Sequence, residues 1–369
     1  MFFSKLPGLF APDLSFDLGT TNTHVCVAGR GVVLTEPSVL AVKKGTTEVL
    51  CDGEAVGSMA KDMIGRTPLS IDAVQPMRDG VVSDFDMTEA LLECLIRRAQ
   101  NGGRWLGRFS PRVLIAVPSA MNAIGKRAVF NAAERAGARR VYLVEAPRAA
   151  GLGAGVPIHE ASAHMIVDIG GGTTDISILS LADVVVSRSL QVAGDAMDDA
   201  IIQYVRKRYN NLIGRNTAEK IKIALGSACQ LVAGEDPEED AGGERDYGVE
   251  PSMTIHGRDL IAGLPRAVTV TASDIRAALS GPIERIVEGV REVLERTGPE
   301  LSGDLLTNGM MLCGGGVLLR GLPELLAEET GLHVEVAEDP ITTVARGTSV
   351  FLDRLDEFKG ILESADDEL

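Results

Sequence analysis

The chain has 369 residues, of which 45% are hydrophobic, and its formal net charge is -16. That length predicts two or more domains with substantial cores, and the acidic balance argues against binding nucleic acid, which needs a basic face. No run reaches the roughly 18–20 apolar residues of a membrane-spanning helix. The five cysteines are scattered and form no Cys-x-x-Cys pair, which predicts reduced thiols in a cytoplasmic protein.

The chain opens with two predicted strands, 14–18 and 24–28, which form a hairpin around the turn GTTNT. The mixed, glycine-containing stretch 45–75 suits a small inserted subdomain. Apolar spacing and capping residues predict, before residue 155, a strand at 36–42, a helix at 86–100 with Asp86 or Thr88 as its cap, a buried strand at 112–118, a helix at 122–137 that Gly137 ends, and a strand at 140–147 followed by a small-residue helix.

The pattern restarts near residue 165 with a second hairpin, VDIGGGTTDISIL, in which Asp168 takes the place that Asp17 has in the first. Strands that alternate with helices and then repeat predict a duplicated α/β fold with a cleft between its halves. The later predicted elements are helices near 195–209, 217–229 and 273–296, a strand, glycine turn and helix within 308–331, and a solvated acidic loop at 233–251.

Both hairpins carry a carboxylate at a strand end and then small residues, which suits a phosphate and its metal ion. Small residues let backbone N–H groups approach phosphate oxygens, and Mg²⁺ keeps most of its waters and needs only one or two carboxylates. We expect Asp17 and Asp168 to face each other and hold those waters. The residues expected to line the phosphates, the ribose and the base are Gly19, Thr20, Thr21 and Asn22 in the first turn, Gly170, Gly171, Gly172, Thr173 and Thr174 in the second, and Gly314, Gly315, Gly316 and Val317 in the third.

Each of these turns is weak evidence when it is taken alone. A triple glycine between a strand and a helix is more often an ordinary tight turn than a ligand site. Two Asp-bearing hairpins followed by a third glycine turn are much stronger evidence. Neither GxxxxGK[ST] nor GxGxxG occurs, so a P-loop and a dinucleotide-binding Rossmann motif are both excluded.

Five segments in a fixed order carry a family resemblance: FDLGTTNT, EAPRAAGLGAG, VDIGGGTTD, MLCGGGVLLRG and TTVARGTSVF. This set resembles the ATPase core that actins, sugar kinases and seventy-kilodalton heat-shock chaperones share. More narrowly it resembles the MreB family of bacterial actins, which QPMRDGVVSDF and NLIGRNTAEKIKIALGSA also support. The resemblance covers nearly the whole chain apart from the acidic loop and the acidic tail.

The resemblance implies an actin-like fold of four subdomains and a filament protein. It implies ATP and Mg²⁺ as ligands, polymerisation of the chain with itself, and a cytoplasmic location at the inner face of the cell membrane. There it would work with membrane proteins of cell-wall elongation to keep cells rod-shaped. The implied division is one half of residues 1–145 plus 336–369, with a small subdomain near 36–75, and another half of 146–335, with a small subdomain near 190–245. By position in the family, Glu219, Lys220, Ile221 and Lys222 would contact the ribose and the edge of the base.

Two positions depart from the family pattern. The family usually has two glutamates before the proline of EAP, and the second one positions the attacking water, but this chain has Ala146 there. The second phosphate motif usually ends in Glu, whereas this chain has Asp175, as the chaperones do. Asp175, Thr173 and Thr174 are therefore the catalytic candidates. We expect intact ATP binding, slow hydrolysis, and filaments that persist in the ATP state.

Two apolar segments are candidates for membrane contact. In the first ten residues the apolar side chains recur at helix-like spacing, and the resemblance suggests an amphipathic anchor, although Pro7-Gly8 weakens a helix and leaves a disordered or docked terminus open. The apolar region is too short for a signal peptide. The second segment is a glycine-flanked basic loop that suits a membrane interface, with core packing as the alternative. The candidate residues are Phe2, Phe3, Leu6, Leu9, Phe10, Trp105, Leu106 and Phe109.

Other function classes remain open at this stage. One is a specialised actin-like paralogue with weak ATPase activity. Another is a chaperone-type ATPase core, which would need a substrate domain after the core, whereas the sequence ends at residue 369. A small-molecule kinase would need a catalytic base beside a sugar pocket, and no such motif is present. Sedimentation with ATP discriminates among them, because only a filament protein should pellet.

Overall fold

The computed structural model describes residues 12–101, 110–230, 250–358 and 360–364 of the chain. Within these residues the strands form two large sheets and three small ones. In chain order the strands are β1 (Leu14–Leu18), β2 (Asn22–Val27), β3 (Gly31–Pro37), β4 (Leu40–Lys43), β5 (Ile71–Val74), β6 (Met77–Arg78), β7 (Val81–Val82), β8 (Arg112–Val117), β9 (Arg140–Glu145), β10 (His164–Ile169), β11 (Thr174–Ser180), β12 (Asp183–Leu190), β13 (Asn211–Leu212), β14 (Ser252–Asp259), β15 (Pro265–Thr271), β16 (Met310–Cys313), β17 (Val334–Val336) and β18 (Glu363–Ser364).

Helices cover the faces of the two large sheets. One of the connections is a single 3₁₀ turn at Gly315–Leu318. The α-helices are α1 (Leu50–Gly53), α2 (Ser58–Met63), α3 (Phe85–Asn101), α4 (Ala123–Arg135), α5 (Ala146–Gly153), α6 (Gly194–Tyr209), α7 (Arg215–Leu225), α8 (Ala272–Glu295), α9 (Pro299–Asn308), α10 (Leu322–Thr330), α11 (Thr343–Asp353) and α12 (Leu355–Phe358).

The two large sheets share one topology. The first has the order β18-β9-β8-β1-β2-β3, and the second has the order β12-β11-β10-β16-β17. In each, three antiparallel strands in sequence are extended by later strands, which are β8, β9 and β18 in the first sheet and β16 and β17 in the second. The first strand of each set pairs parallel with one of them: β1 with β8, and β10 with β16. The predicted α/β class and the predicted duplication are confirmed.

The duplication extends to single hydrogen bonds in the hairpin turns. The N–H of Gly19 donates to the carbonyl of Asn22 at 3.1 Å, and the N–H of Gly170 donates to the carbonyl of Thr173 at 2.9 Å. Asp17 lies opposite His24 across the first hairpin, and Asp168 lies opposite Asp175 across the second. The same turn thus carries a histidine beside its acid in one half and a second carboxylate in the other.

Three large apolar clusters stabilise this arrangement. One lies between the six-stranded sheet and helices α3 and α4, and another lies between the five-stranded sheet and helices α6, α7 and α8. The third joins the two sheets and contains α5, α11 and α12. Burial of apolar side chains is the main stabilising contribution to such a fold, so the third cluster is what holds the halves together.

Helices α5 and α11 cross in close backbone contact within the third cluster. A Cβ atom at Gly347 would lie 1.7 Å from the carbonyl oxygen of Ala149, and one at Gly153 would lie 1.9 Å from that of Thr343. Only glycine fits at these two positions. The α5 segment leads from the first sheet to the second, and α11 packs back on β1, so this crossing connects the two halves.

Some predicted elements need correction. The strand predicted at 36–42 is the end of β3 and most of β4, because Pro37 has no N–H to continue the ladder and the chain turns at residue 38. The cap of α3 is Asp84 rather than Asp86 or Thr88: its carboxylate accepts from the N–H of Met87 at 3.1 Å. The predicted strand 140–147 ends at residue 145, and the predicted helix 217–229 ends at residue 225.

Two smaller sheets lie beside the large ones. The pair β4 and β5 packs with α2 inside the stretch predicted as a small subdomain. The three-stranded sheet β13-β14-β15 takes two of its strands from residues 252–271, past the predicted end of the second small subdomain at 245. The division of the chain into halves and subdomains stays a prediction.

No helix among the described residues is long and apolar enough to cross a membrane. The predicted membrane-contact residues lie outside the described residues, as does most of the acidic loop 233–251 and of the tail. These predicted contact residues are Phe2, Phe3, Leu6, Leu9, Phe10, Trp105, Leu106 and Phe109. Their role in membrane contact also stays a prediction.

Candidate nucleotide site

The turns of the two hairpins meet between the large sheets. A Cβ atom at Gly171 would lie 1.7 Å from Oγ1 of Thr21, and one at Gly172 would lie 2.6 Å from Oγ1 of Thr20. A side chain at either glycine would therefore push the two turns apart. The hydroxyl of Thr20 also accepts from the N–H of Gly80 at 3.0 Å. The structure thus brings together the first two predicted phosphate turns.

Three carboxylates converge beside these turns. Asp168 and Asp175 are directly opposite in the antiparallel pair β10–β11, so their side chains project on the same face. Burial, together with the negative charges of Asp17 and Asp175, raises the pKa of Asp168 to about 8. Burial also raises the pKa of Asp17, against the effect of His24, which lowers it. The predicted pair of Asp17 and Asp168 therefore lies close enough for the charges to interact.

The oxygen donors at this place fit a Mg²⁺ ion that keeps most of its waters. Carboxylates and hydroxyls are its preferred ligands. Oγ1 of Thr21 and Oδ1 of Asp175 are buried without a hydrogen-bond partner, and buried polar atoms normally have one. In the described part of the chain, no three His, Cys, Asp or Glu side chains form a complete metal cage. The residues therefore fit an ion bound mainly through its own waters and a phosphate.

The three catalytic candidates, Thr173 just before β11 and Thr174 and Asp175 on it, do not face the same way. Oγ1 of Thr173 donates to Oδ2 of Asp175 at 3.2 Å, on the face that carries Asp168. Thr174 faces the opposite side, because side chains alternate along a strand. Its hydroxyl donates to the carbonyl of Val192 at 2.7 Å, and the residue is fully buried. The structure thus separates Thr174 from the other two candidates.

Asp175 is a buried acid held by hydroxyl groups. Burial raises its pKa, and hydrogen bonds from Ser189 and Thr173 act in the opposite direction. A carboxylate whose pKa is raised toward the working pH is a better general base than one with an ordinary pKa. Oδ1 of Asp175 remains without a partner, so this oxygen is available to a water molecule.

Glu145 and Ala146 lie at the junction of β9 and α5. The carboxylate of Glu145 forms an ion pair with Nε of Arg148 at 2.9 Å, and Arg148 also pairs with Asp183 at 2.5 Å. The carboxylate of Glu145 is therefore bound to Arg148, which also binds Asp183 on β12. Ala146 begins the helix and packs on the cluster that joins the sheets. Its methyl group cannot accept a hydrogen bond.

The third glycine turn packs on the end of β10, just before the second turn. Gly314 has φ +85°, and a Cβ atom there would lie 2.4 Å from Oδ1 of Asp168. The space around Gly315 is open, whereas the side chain of Val317 is buried in the core. The turn leads into the single 3₁₀ turn rather than directly into a helix, since α10 begins only at Leu322. A ligand at this turn can therefore contact the backbone and the glycines, but not the side chain of Val317.

The four predicted contacts on α7 also separate by helix face. Ile221 is fully buried in the apolar core and Lys220 is exposed, so neither side chain faces the cleft together with Glu219. Glu219 and Lys222 are three residues apart and therefore share a face. Nζ of Lys222 lies 2.9 Å from the carboxylate of Asp198 and donates to the carbonyl of Gly194 at 2.9 Å.

Sequence reasoning missed two features at the mouth of the site. Nζ of Lys61, on α2, lies 2.9 Å from both carboxylate oxygens of Glu219. The first turn of α6 is tied to the second phosphate turn, because the N–H of Asp195 donates to the carbonyl of Gly171 at 2.7 Å. Nothing in the pattern around Lys61 marks it, since its partner is distant in the chain and on another helix.

The sequence model of the MreB/Mbl protein family matches residues 11–360. The chain belongs to the MreB/Mbl family. It is 45% identical over 360 residues to the cell shape-determining protein MreB of Escherichia coli K12, which covers 98% of this chain and 99% of that protein. It is 43% identical over 349 residues to the cell shape-determining protein Mbl of Bacillus subtilis, at 95% and 98% coverage.

Solved structures agree with this MreB/Mbl assignment. The crystal structure of MreB5 of Spiroplasma citri bound to ADP matches with TM-score 0.83 and 36% identity over 95% of this chain and 98% of that one. The structure of the same protein bound to AMPPNP matches with TM-score 0.82. A MamK double helical filament matches with TM-score 0.72 at 23% identity, which supports the fold alone.

These findings confirm the predicted resemblance to bacterial actins. The fold is actin-like, and the MreB/Mbl chain is an actin-like cytoskeletal protein of the cell shape-determining kind. The duplicated hairpins and the three glycine turns thus lie on the scaffold that the sequence predicted for them.

Proposed function

We propose that the chain binds ATP with Mg²⁺ between its two large sheets and polymerises with copies of itself. The filaments attach peripherally to the inner face of the cell membrane and organise cell-wall synthesis, which maintains rod shape. The observation that carries this proposal is the meeting of two equivalent Asp-bearing turns, one from each duplicated sheet. The ADP and AMPPNP complexes of MreB5 support the choice of nucleotide.

The roles follow from the geometry of the site. Asp17 and Asp168 would hold the waters of a Mg²⁺ ion, which would neutralise charge on the phosphates. Backbone N–H groups of the two turns, other than those of Gly19 and Gly170 that already donate within their turns, bind phosphate oxygens, because glycine and small residues leave them accessible. The open backbone at Gly315 and the carboxylate of Glu219 contact the base and the ribose.

Hydrolysis is slow in this proposal. Asp175, oriented by Thr173 at 3.2 Å, is the remaining acceptor for the attacking water. At Ala146 there is no second acceptor, and Glu145 is engaged by Arg148. General-base assistance typically contributes roughly 10²–10⁴-fold in rate, so loss of one of two acceptors slows hydrolysis. Filaments that hydrolyse ATP slowly persist in the ATP state. This feature favours a specialised paralogue with weak ATPase activity.

Self-assembly requires a heterologous contact, in which one surface of the chain binds a different surface of the next copy. Such a contact gives an open filament when its rotation does not close. The partners proposed from the family are copies of the chain itself, the inner membrane surface, and membrane proteins of cell-wall elongation. The membrane contact rests on the apolar residues of 2–10 and the Trp105 loop. The proposed division into 1–145 with 336–369, and 146–335, places one large sheet in each half.

Calorimetry with ATP and Mg²⁺ tests the site. We expect Asp168→Ala to weaken binding strongly, because it removes one of the two acids that hold the ion's waters. Asp86→Ala removes an exposed acid on α3 and is the matched control. Equal affinity of the wild-type chain and Asp168→Ala contradicts the placement of the site.

Pelleting and light scattering test the polymer. The wild-type chain should sediment with ATP, and Asp168→Ala should not under the same conditions. A signal that stays flat across ATP, salt and protein concentration contradicts the filament proposal, whatever the calorimetry shows.

A further inference from the structure

An ion pair closes the mouth of the proposed nucleotide site. Lys61 lies on α2, beside the small sheet β4–β5, and Glu219 lies on α7, which packs on α6, α8 and β14. Nζ of Lys61 is 2.9 Å from each carboxylate oxygen of Glu219, and both side chains are 30% exposed. This contact bridges the two sides of the cleft.

The Lys61 side of the pair is held firmly. Lys61 donates its own N–H to the carbonyl of Gly57, and its neighbour Ala60 is fully buried. The N–H of Ser58 donates to the carboxylate of Glu36 at 3.1 Å, and Arg98 on α3 pairs with the same carboxylate at 3.2 Å. The short helix is thus fixed to β3 and α3. Lys61 therefore cannot move together with Glu219, and the ion pair must break when the two sides of the cleft separate.

The Glu219 side is held as firmly and reaches the phosphate turn. Lys222, one turn along α7, binds Asp198 and the carbonyl of Gly194. The next residue, Asp195, donates its N–H to the carbonyl of Gly171. At the other end of α7, Arg320 donates to the carbonyls of residues 224 and 226 at 2.8 and 3.1 Å. Separation of Glu219 from Lys61 therefore moves a rigid unit that includes the second phosphate turn.

We infer that Lys61 is a positioning residue of the nucleotide site, which latches the cleft through Glu219 and limits the rate of nucleotide release. This inference rests on the proposed function, because it assigns a role within the same site. The bound nucleotide leaves only when the two sides of the cleft part, and parting requires the Lys61–Glu219 pair to break. Lys61 also fixes the carboxylate that faces the ribose.

The test measures the rate at which ATP dissociates from the full-length protein. The bound ATP is labelled at its α-phosphate and chased with excess unlabelled ATP. The protein concentration is kept below the threshold at which the protein pellets. Partly exposed ion pairs are weak, so we expect Lys61→Ala to release ATP about two- to five-fold faster. Lys61→Arg should restore the wild-type rate, because it retains the cation. The matched control is Lys44→Ala, which removes an exposed lysine beside the same small sheet and should leave the rate unchanged.

The salt dependence of the release rate distinguishes a latch from a merely structural role. The Debye length falls from about 10 Å at 0.1 M to about 3 Å at 1 M salt. The difference in release rate between wild type and Lys61→Ala should therefore shrink at high salt, while the thermal midpoints of the two proteins stay equal. Equal release rates at low salt, or equal acceleration by Lys44→Ala, overturn the latch. Failure of the wild-type chain to bind ATP overturns the proposed function instead.

Discussion

The crossing of α5 and α11 makes a definite prediction about stability, because two glycines there have no room for a side chain. At Gly347 the nearest atoms to a Cβ position are backbone atoms of Ala149, at 1.7, 2.5 and 2.9 Å. Rotation of a side chain cannot relieve such a contact. Gly347→Ala must instead push the two helices apart, which disrupts the cluster that joins the two large sheets.

Two effects of opposite sign decide the outcome of Gly347→Ala. Alanine in place of glycine inside a helix typically stabilises by up to about 1 kcal/mol. Overpacking of a tight core costs about 1–3 kcal/mol and sometimes more, and the displacement needed here involves backbone rather than a flexible side chain. We therefore expect the free energy of unfolding to fall by about 1–2 kcal/mol net.

Urea denaturation of the wild type, Gly347→Ala and Gly303→Ala measures this difference. Gly303 is an exposed glycine inside α9 with no atom within 4 Å of its Cβ position, so its alanine variant isolates the helix-propensity gain and should be more stable than the wild type. If Gly347→Ala is as stable as Gly303→Ala, the backbone contact between α5 and α11 does not exist in solution and the argument is refuted.

Three further outcomes are expected. Ala146→Glu should raise steady-state phosphate release by up to about 10²-fold; a wild-type rate that equals or exceeds the variant's, with both polymerised, shows that Ala146 is no lesion. Burial disfavours the charged form of Asp274, but hydrogen bonds from two tyrosines and the Thr271 cap outweigh burial and lower the pKa of Asp274 below its ordinary 3.8. Asp274→Ala should therefore cost about 1–2 kcal/mol at neutral pH, and thermal melts should show this cost vanish as the pH falls through the lowered pKa, because the stabilisation requires the ionised form. The fluorescence of Trp105, the only tryptophan, should shift to the blue with liposomes; an unshifted spectrum while the protein is bound removes its loop from the membrane contact.

The two hairpins differ in a way that favours the second half for the proposed hydrolysis. Across the first hairpin His24 lies opposite Asp17, and Nδ1 of His24 contacts the hydroxyl of Thr35 at 3.1 Å. Across the second hairpin Asp175 lies opposite Asp168 and has a free oxygen. The two halves thus share the turn that suits a phosphate, and only the second adds an acceptor for water.

Several features of the chain could be predicted from the sequence because they depend on neighbours a few residues away. The hairpins 14–27 and 164–180 follow from strand-like apolar runs on both sides of turns of small residues. Their repetition predicted two equivalent halves, and equivalence predicted that Asp17 and Asp168 would face each other. The predicted cap of α3 was wrong because Asp84, Asp86 and Thr88 are all residue types that suit a helix cap. Only the start of the helix at residue 85 selects Asp84 among them.

Other features were decided only by the tertiary structure. Which face of α7 meets the cleft depends on packing that buries Ile221 and leaves Glu219 at the mouth. The separation of Thr174 from Thr173 depends on the carbonyl of Val192, which another segment supplies. The Lys61–Glu219 pair, like the glycine contacts of the α5–α11 crossing, joins residues far apart in the chain. Local sequence carries no signal of such a contact, because its energy arises only when the sheets and helices between the two partners have already packed.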